Sequence, residues 1–195
     1  MTRYGQTPSQ TVGPYFGMRL GGEGQEILVG RDTPGQRLRI EGRVIDAADA
    51  YIEDALIEIW QADTAGRYRH PRDLWGAVPT SGTFTGFGRA RSAFTSGEYS
   101  FETIKPGLVG DTDGRSQAPH INVIVQARGM LMPSFTRIYF SDEAEANLTD
   151  RVLSQVPAER RETLVARSGT PVGGVPTYRF DIRFGGDAET VFFDF

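Results

Sequence analysis

The side chains best suited to metal binding or acid–base chemistry are the two histidines, His70 and His120. The chain has no cysteine. This composition excludes a three-histidine metal site and every site that needs a thiolate. His120 is followed two positions later by Asn122, and residues i and i+2 of a β-strand lie on the same side about 6.6 Å apart. A second histidine at position 122 would complete a metal-binding pair, but an asparagine amide is a weak ligand and a good hydrogen-bonding group. The pattern favours a hydrogen-bonded His120 over a metal-bound one.

Other polar residues give weaker indications. His70 lies in the stretch GRYRHPRD among several arginines, which favours a polar loop or an interface that attracts anions. Trp60 alternates with Ile59 in EIWQAD, which predicts a core position rather than a cofactor contact. Glu58 and Asp63 have no visible acidic partner for paired acid and base catalysis. These residues alone therefore reveal no complete catalytic group.

Alternating apolar and polar residues indicate the β-strands that must position these groups. Leu38, Ile40 and Val44 would share one strand face while the residues between them point the other way. The same period-two pattern recurs in short segments separated by Gly, Asp and Pro. The predicted strands are residues 37–44, 55–62, 97–104, 121–128, 134–140, 177–184 and 189–195. Regularly spaced short strands predict an all-β domain, either a sandwich or a barrel.

Helix signals are concentrated in one insertion, at about residues 141–168. Ser141 or Asp142 could cap a first helix that ends near residue 156. Pro157 suits the first position of a second helix, which Gly169 could end. We expect short surface helices inserted between strands.

The rest of the chain is predicted to form an arm and one domain. Residues 1–30 show little periodicity and are expected to be an extended N-terminal arm, followed by a single domain over residues 31–195. Residues 74–89 are rich in Gly, Thr and Ser and predict a long loop that leads into a strand.

Charge and hydropathy limit the possible partners. The chain has 195 residues with 21 basic and 25 acidic side chains, for a net charge of −4. This balance does not favour nucleic acid or an anionic membrane surface. The chain shows no signal-like start and no apolar run near the roughly 18 residues of a membrane helix. We expect a soluble, cytoplasmic protein whose partners are a protein or a small molecule.

Several blocks of sequence together carry a resemblance to a known family. From about Thr7 to the C-terminus they are, in order, TPSQTVGPYF, EIWQADTAGRYRHPRD, GEYSFETIKPG, APHINVIVQARGM and RFDIRFGGDAETVFFDF. The chain resembles the intradiol ring-cleaving dioxygenases, and in particular their accessory α chains. The resemblance implies a two-sheet β-sandwich and an assembly of homologous α and β chains. It also implies that the β chain binds Fe(III) through two tyrosines and two histidines.

This chain departs from the family's ligand pattern at three of four positions. His120 matches one histidine, but Asn122 takes the place of the other. Val109, with Leu108 before it, stands where a tyrosine is expected after the KPG turn, and Trp75 stands at the other tyrosine position. Gln117 takes the place of an arginine of the iron-binding chains. The resemblance therefore implies a vestigial metal site at Trp75, Val109, His120 and Asn122, with no metal bound by this chain.

The resemblance implies that the chain instead lines the pocket of its β partner. The positions that match are Thr11, Gly13, Pro14 and Tyr15 of the arm and Arg128 after the PHIN strand. Arg128 would attract a carboxylate through a charge-assisted pair. On a straight strand Arg128 would lie about 26 Å from His120, so the two should serve different pockets.

The implied activity is intradiol cleavage of protocatechuate, a catechol with a ring carboxylate, by O₂. No residue of this chain alone would be catalytic. Two alternatives stay open. The chain could be a divergent catechol dioxygenase that works alone with iron on His120, a tyrosine and carboxylates. It could also be a non-catalytic β-sandwich module that binds or assembles other proteins.

Overall fold

The protein is described by a computed structural model that covers residues 5, 7–11, 13, 16–71, 73, 84–110 and 114–194. Short strands dominate these residues. The strands are β1 Arg37–Ile45, β2 Leu56–Gln61, β3 Phe87–Arg91, β4 Glu98–Ile104, β5 Val109–Gly110, β6 Ser116–Gln117, β7 His120–Gln126, β8 Ser134–Phe140, β9 Val165–Ser168, β10 Thr177–Arg179 and β11 Ile182–Arg183. The helices are α1 Phe16–Leu20, α2 Ala144–Thr149, α3 Arg151–Gln155 and a 3₁₀ helix, Ala158–Leu164.

Nine strands form one mixed sheet that folds over a common core. The strand order is β11-β1-β10-β9-β8-β7-β2-β3, and β4 pairs with β1 outside this path. The strands β5 and β6 form a separate two-stranded sheet. Strand β9 connects the two halves of the large sheet, because it pairs with β10 on one side and β8 on the other.

The main core lies between these two halves. Ile40 of β1 and Phe101 of β4 belong to the same buried cluster as Ile59 of β2 and Val123 of β7. Alternation of buried and half-buried residues along β1 and β7 matches the period of two expected for strands with one face in a core. The predicted all-β sandwich fold is confirmed.

Two of the predicted strands near the C-terminus are shorter in the structure than the sequence indicates. The predicted strand at residues 177–184 is broken into β10 and β11, and between them the Asp181 carboxylate accepts the Arg43 backbone N–H at 3.0 Å. The predicted terminal strand at 189–195 is reduced to a single bridge between Phe135 and Phe193. The residues before β3 in the predicted 74–89 loop lie largely outside the described residues.

The helical insertion is shorter than predicted and is divided at Asp150. The first predicted helix becomes α2 and α3, since the Asp150 side chain accepts the N–H groups of Val152 and Leu153 and so caps a new helix. Neither Ser141 nor Asp142 is a cap of α2, which begins after Glu143. The segment from Pro157 forms a 3₁₀ helix, and residues 165–168, predicted as helix, are strand β9.

The N-terminal arm is only partly extended. Its described residues include the helix α1, and Leu28 is buried where its N–H bonds to the Glu102 carbonyl at 2.9 Å. The arm therefore joins the sheet before residue 30. No helix in the described part of the chain is long and apolar enough to cross a membrane.

Candidate functional site

A tight turn presents Tyr68 to the face of the β2–β7 pair. Asp63 closes this turn, because its N–H bonds to the Arg67 carbonyl and its carboxylate pairs with the Arg67 guanidinium at 2.8 Å. Gly66 is required here, since a Cβ at this position would lie 1.8 Å from the Leu108 carbonyl oxygen. The turn therefore packs on the residues before β5, and the chain leaves it directly into Tyr68.

His120, the first residue of β7, is buried and has both ring nitrogens engaged. Nδ1 lies 2.8 Å from the Ala118 carbonyl, so Nδ1 carries the hydrogen and donates it. Nε2 is then the acceptor, and the Tyr68 hydroxyl lies 3.1 Å from it and donates. The nitrogen that would bind a metal is thus occupied by a phenol.

Asn122 completes this arrangement, which we call the Tyr68 network. Its Nδ2 donates to the Tyr68 hydroxyl at 2.9 Å and to the Trp60 carbonyl at 3.2 Å. The phenol therefore accepts from Asn122 while it donates to His120, and its hydrogen-bonding capacity is used on both sides. The prediction that Trp60 is a core residue is wrong, because Trp60 is 38% exposed and its ring lies against Tyr68 with centroids 4.7 Å apart.

Burial sets the protonation states in the Tyr68 network. Burial, with a smaller contribution from the positive charge of Arg137, lowers the pKa of His120 to about 4. Burial also raises the pKa of Tyr68, which the hydrogen bond from Asn122 and the charge of Arg137 only partly oppose. A neutral imidazole and a neutral phenol are therefore the stable forms at neutral pH.

Arg137 is a cation beside the Tyr68 network that the sequence interpretation did not identify. It lies on β8 directly opposite Asn122, and its Nη1 donates to the Gln117 side chain at 2.8 Å. Gln117 in turn pairs with Val109 across the β5–β6 sheet. The structure thus connects Val109, Asn122 and His120 through neighbouring strands, whereas Trp75 lies outside the described residues.

Arg128 lies beyond the other end of β7, at what we call the arm corner. The Thr11 hydroxyl accepts the N–H of Gly129 at 3.0 Å, which brings the N-terminal arm beside Arg128. Gly13 has a φ of +68°, a conformation that favours glycine. Pro14 and Tyr15 lie outside the described residues. The structure therefore brings Thr11 next to Gly129, the residue after Arg128, although Thr11 and Arg128 are far apart in the sequence. The role of these residues in a pocket stays a prediction.

Arg128 is held between two carboxylates at the arm corner. Its Nη2 lies 3.5 Å from Glu53 and its Nε lies 3.7 Å from Asp54. Leu131 and Met132, in the turn that follows, are 62% and 63% exposed. The corner thus combines a half-exposed guanidinium with exposed apolar side chains, which suits a surface covered by another protein.

A separate groove of about 570 Å³ crosses the outer face of β1 and β4. Arginines and glutamates line it, and several of them form ion pairs. Examples are Arg43 with Glu98 at 2.8 Å and Arg39 with Glu41 at 3.5 Å. Such paired charges give the groove little preference for an anion or a cation.

Comparison with known proteins decides the family. The family model described as dioxygenase matches residues 11–186. The protocatechuate 3,4-dioxygenase alpha chain of Burkholderia cepacia is 44% identical over 205 residues, which cover 100% of both chains. This chain belongs to the intradiol dioxygenase family. The beta chain of the same B. cepacia enzyme is 31% identical to this dioxygenase chain over 161 residues, 80% of this chain and 67% of that one.

A solved relative supports the fold of this intradiol dioxygenase chain. The dioxygenase domain of a carbohydrate-binding fusion protein from Streptomyces sp. SirexAA-E has 29% sequence identity and a TM-score of 0.62. The match covers 91% of this chain and 97% of that domain.

The residues of this dioxygenase chain do not fit the Fe(III) that its family uses. The described residues contain no group of three or more His, Cys, Asp or Glu side chains that could hold a metal ion. His120 Nε2 is hydrogen-bonded to Tyr68, Asn122 is a neutral donor, and Val109 offers no ligand atom. Of the two phenols beside His120, Tyr68 has its pKa raised by burial, and Tyr139 donates its hydroxyl hydrogen to Asp150. The Tyr68 network is therefore a closed hydrogen-bonded cluster.

Several residues of these sites escaped the sequence interpretation. Tyr68 lies 52 positions from His120 along the chain, and nothing in the spacing of the GRYRH block predicts their contact. Arg137 and Asp54 were not identified for the same reason. The fold brings Arg137 opposite Asn122 and Asp54 near Arg128 from distant parts of the sequence. Alternation in β8 could have indicated that Arg137 faces the same side as Asn122, but only once the register between β7 and β8 was known.

Proposed function

We propose that this chain is the α subunit of a protocatechuate 3,4-dioxygenase and is active only with a homologous β subunit. The reaction is the intradiol cleavage of protocatechuate by O₂ to 3-carboxy-cis,cis-muconate. The observation that carries the proposal is the hydrogen bond from Tyr68 to His120 Nε2, which closes this chain's own site to iron. The full-length similarity to an alpha chain supports the same conclusion.

The β subunit would hold the Fe(III) and the reacting atoms in this proposal. Similarity between this chain and the B. cepacia beta chain fits an assembly of two homologous chains. The contribution of the α subunit is then to bind and orient the substrate at the boundary between the chains. A cytoplasmic location remains a prediction from the sequence.

The arm corner is the part of this chain that we place at the partner's pocket. Thr11, Gly13, Pro14 and Tyr15 would form one wall, and Arg128 would bind the ring carboxylate of protocatechuate. The contact between Thr11 and Gly129 supports this grouping, because it holds the arm next to Arg128. Water would be excluded by the arm and by exposed apolar residues such as Leu131.

Separate and joint expression tests this proposal. We expect this chain alone to contain no stoichiometric iron and to show no oxygen uptake with protocatechuate. The same chain co-expressed with the β-type chain of its organism should contain iron and consume oxygen. Activity and stoichiometric iron in this chain alone would instead support the stand-alone dioxygenase. An inactive pair would leave only the non-catalytic module.

A further inference from the structure

We propose that Asp54, together with Glu53, is a positioning residue for Arg128. The two carboxylates hold the guanidinium in the orientation in which it receives the carboxylate of the substrate. This inference rests on the proposed function, because it assumes that Arg128 faces the pocket of an αβ enzyme.

The turn before β2 and the turn after β7 lie at the same end of the sheet. Leu56, the first residue of β2, pairs with Gln126, the last residue of β7, in an antiparallel ladder. The ladder therefore brings Glu53 and Asp54, just before β2, near Arg128, just after β7. The ion-pair distances show the contact, since Asp54 Oδ2 lies 3.7 Å from Nε and Glu53 Oε2 lies 3.5 Å from Nη2.

The three side chains differ sharply in exposure. Arg128 and Glu53 are about half exposed, at 53% and 50%, whereas the Asp54 side chain is only 5% exposed. Asp54 Oδ1 is buried without a hydrogen-bond partner. A buried carboxylate needs a compensating charge, and Arg128 provides it. Movement of Arg128 away from Asp54 would therefore be unfavourable, which restrains the guanidinium.

The backbone around Asp54 is rigid and unusual. Asp54 has a φ of +56°, an uncommon value for a residue other than glycine. The buried Ser92 fixes the chain on both sides of it, because its hydroxyl accepts the Ala55 N–H at 2.8 Å and donates to the Ile52 carbonyl at 2.9 Å. Uncommon backbone conformations that the surrounding structure enforces are found at functional positions. Asp54 is thus a fixed point against which Arg128 is held.

The arrangement leaves donors of Arg128 free for a ligand. Arg128 makes ion-pair contacts through Nε and Nη2 but no hydrogen bond to the described residues. A guanidinium that is already oriented loses less conformational entropy when it binds a carboxylate. The two carboxylates also repel an anionic ligand, which weakens its binding. Removal of a carboxylate should raise KM if its main effect is to position Arg128, and should lower KM if its main effect is repulsion.

The test uses the αβ enzyme with Asp54→Asn, Arg128→Ala and the double variant. Asparagine keeps the shape of aspartate and tolerates a positive φ, so the backbone is preserved. KM and kcat are measured for protocatechuate and for catechol, which lacks the carboxylate. Glu102→Gln is the matched control, because it removes an exposed carboxylate from β4, on another part of the sheet. Thermal unfolding of each variant checks the fold.

Positioning predicts that Asp54→Asn raises KM for protocatechuate about fivefold, with kcat/KM for catechol nearly unchanged. In the Arg128→Ala background the same change should have no further effect on KM, since the two residues act as a unit. A lowered or unchanged KM for Asp54→Asn, or an equal effect in both backgrounds, overturns the inference. If Asp54→Asn does not fold, Glu53→Gln replaces it, and an unchanged KM in that variant overturns the inference as well.

These outcomes are separate from the failure of the proposed function. If Arg128→Ala affects protocatechuate and catechol equally, Arg128 does not bind the carboxylate and the positioning inference fails, while an active αβ pair still supports the α-subunit assignment. A wild-type pair that consumes no oxygen with protocatechuate overturns the proposed function itself.

Discussion

The contact between Tyr68 and His120 is the main structural argument against metal binding by this chain. The phenol donates to Nε2 at 3.1 Å and accepts from Asn122 at 2.9 Å, so the hydroxyl is engaged on both sides. A metal ion on Nε2 would have to break the hydrogen bond from Tyr68. His120 and Asn122, which the resemblance places at ligand positions of the iron-binding chains, are thus engaged with Tyr68 instead.

Acid should destabilise the chain through His120. Its folded pKa of about 4 is below the ordinary value of 6.5, so the unfolded chain binds more protons between these pH values. The free energy of unfolding should then fall as the pH drops from 6.5 towards 4, by at most about 1.4 kcal/mol per unit. Urea denaturation between pH 6.5 and 5 measures this loss, because most carboxylates are still ionised in that range. The His120→Gln variant should show a shallower slope, and equal slopes would contradict the assignment.

Restoring one histidine should not restore an iron site. Asn122→His supplies the missing imidazole, but Nε2 of His120 remains bonded to Tyr68 and burial keeps the phenol neutral. We expect substoichiometric iron in purified Asn122→His after incubation with ferric or ferrous salt, as in the wild-type chain. One iron per chain, measured by elemental analysis, would show that the Tyr68 network opens readily.

The sequence predicts which residues of this site share a strand face, but not the contact with Tyr68. His120 and Asn122 lie on one strand, so their shared face follows from the period of two. Tyr68 reaches them only because the turn at Gly66 packs on Leu108, a contact between segments that are distant in the sequence. A pattern of residues cannot reveal such an approach without the fold.

Asp150 links three structural elements. Its Oδ1 accepts the N–H groups of Val152 and Leu153 at 2.9 and 2.7 Å and the hydroxyl of Tyr139 at 3.0 Å. Its Oδ2 accepts the N–H of Ala118 at 2.8 Å, two residues before His120. One buried carboxylate thus joins α3 and β8 to the segment that begins β7.

Removal of this carboxylate should destabilise the whole chain. Asp150→Ala leaves several buried donors without an acceptor, and we expect the free energy of unfolding to fall by about 3 kcal/mol or more. Chemical denaturation measures the loss. The control is Glu145→Ala on the exposed surface of α2, for which we expect a change within about 0.5 kcal/mol. Similar losses in both variants would disprove the linking role of Asp150.

Strand positions were predictable, and helix boundaries were not. Alternation marks β1, β2, β4, β7 and β8 within one or two residues, because each has one face in the core. The helical insertion was predicted too long, since the capping strength of Asp150 and the pairing of residues 165–168 with β8 and β10 depend on tertiary contacts. The break between β10 and β11 likewise requires a side-chain acceptor, Asp181, that no period reveals.

The whole molecule separates two sites along one strand. The closed Tyr68 network lies at the start of β7, and the arm corner lies beyond its end. The sequence predicts this separation, because Arg128 follows His120 by eight residues along the strand. The fold shows how each end is supported, by Tyr68 and Arg137 at one end and by Asp54 and the arm at the other.

The central claim is that iron in the assembled enzyme lies on the β subunit and not beside His120. An anomalous difference map, recorded at the iron absorption edge from crystals of the αβ pair, tests it most directly. We predict one iron peak per αβ pair, bound by β-subunit residues, with no peak near His120 Nε2 and with Tyr68 still hydrogen-bonded to it. An iron peak within bonding distance of His120 Nε2 would contradict the account.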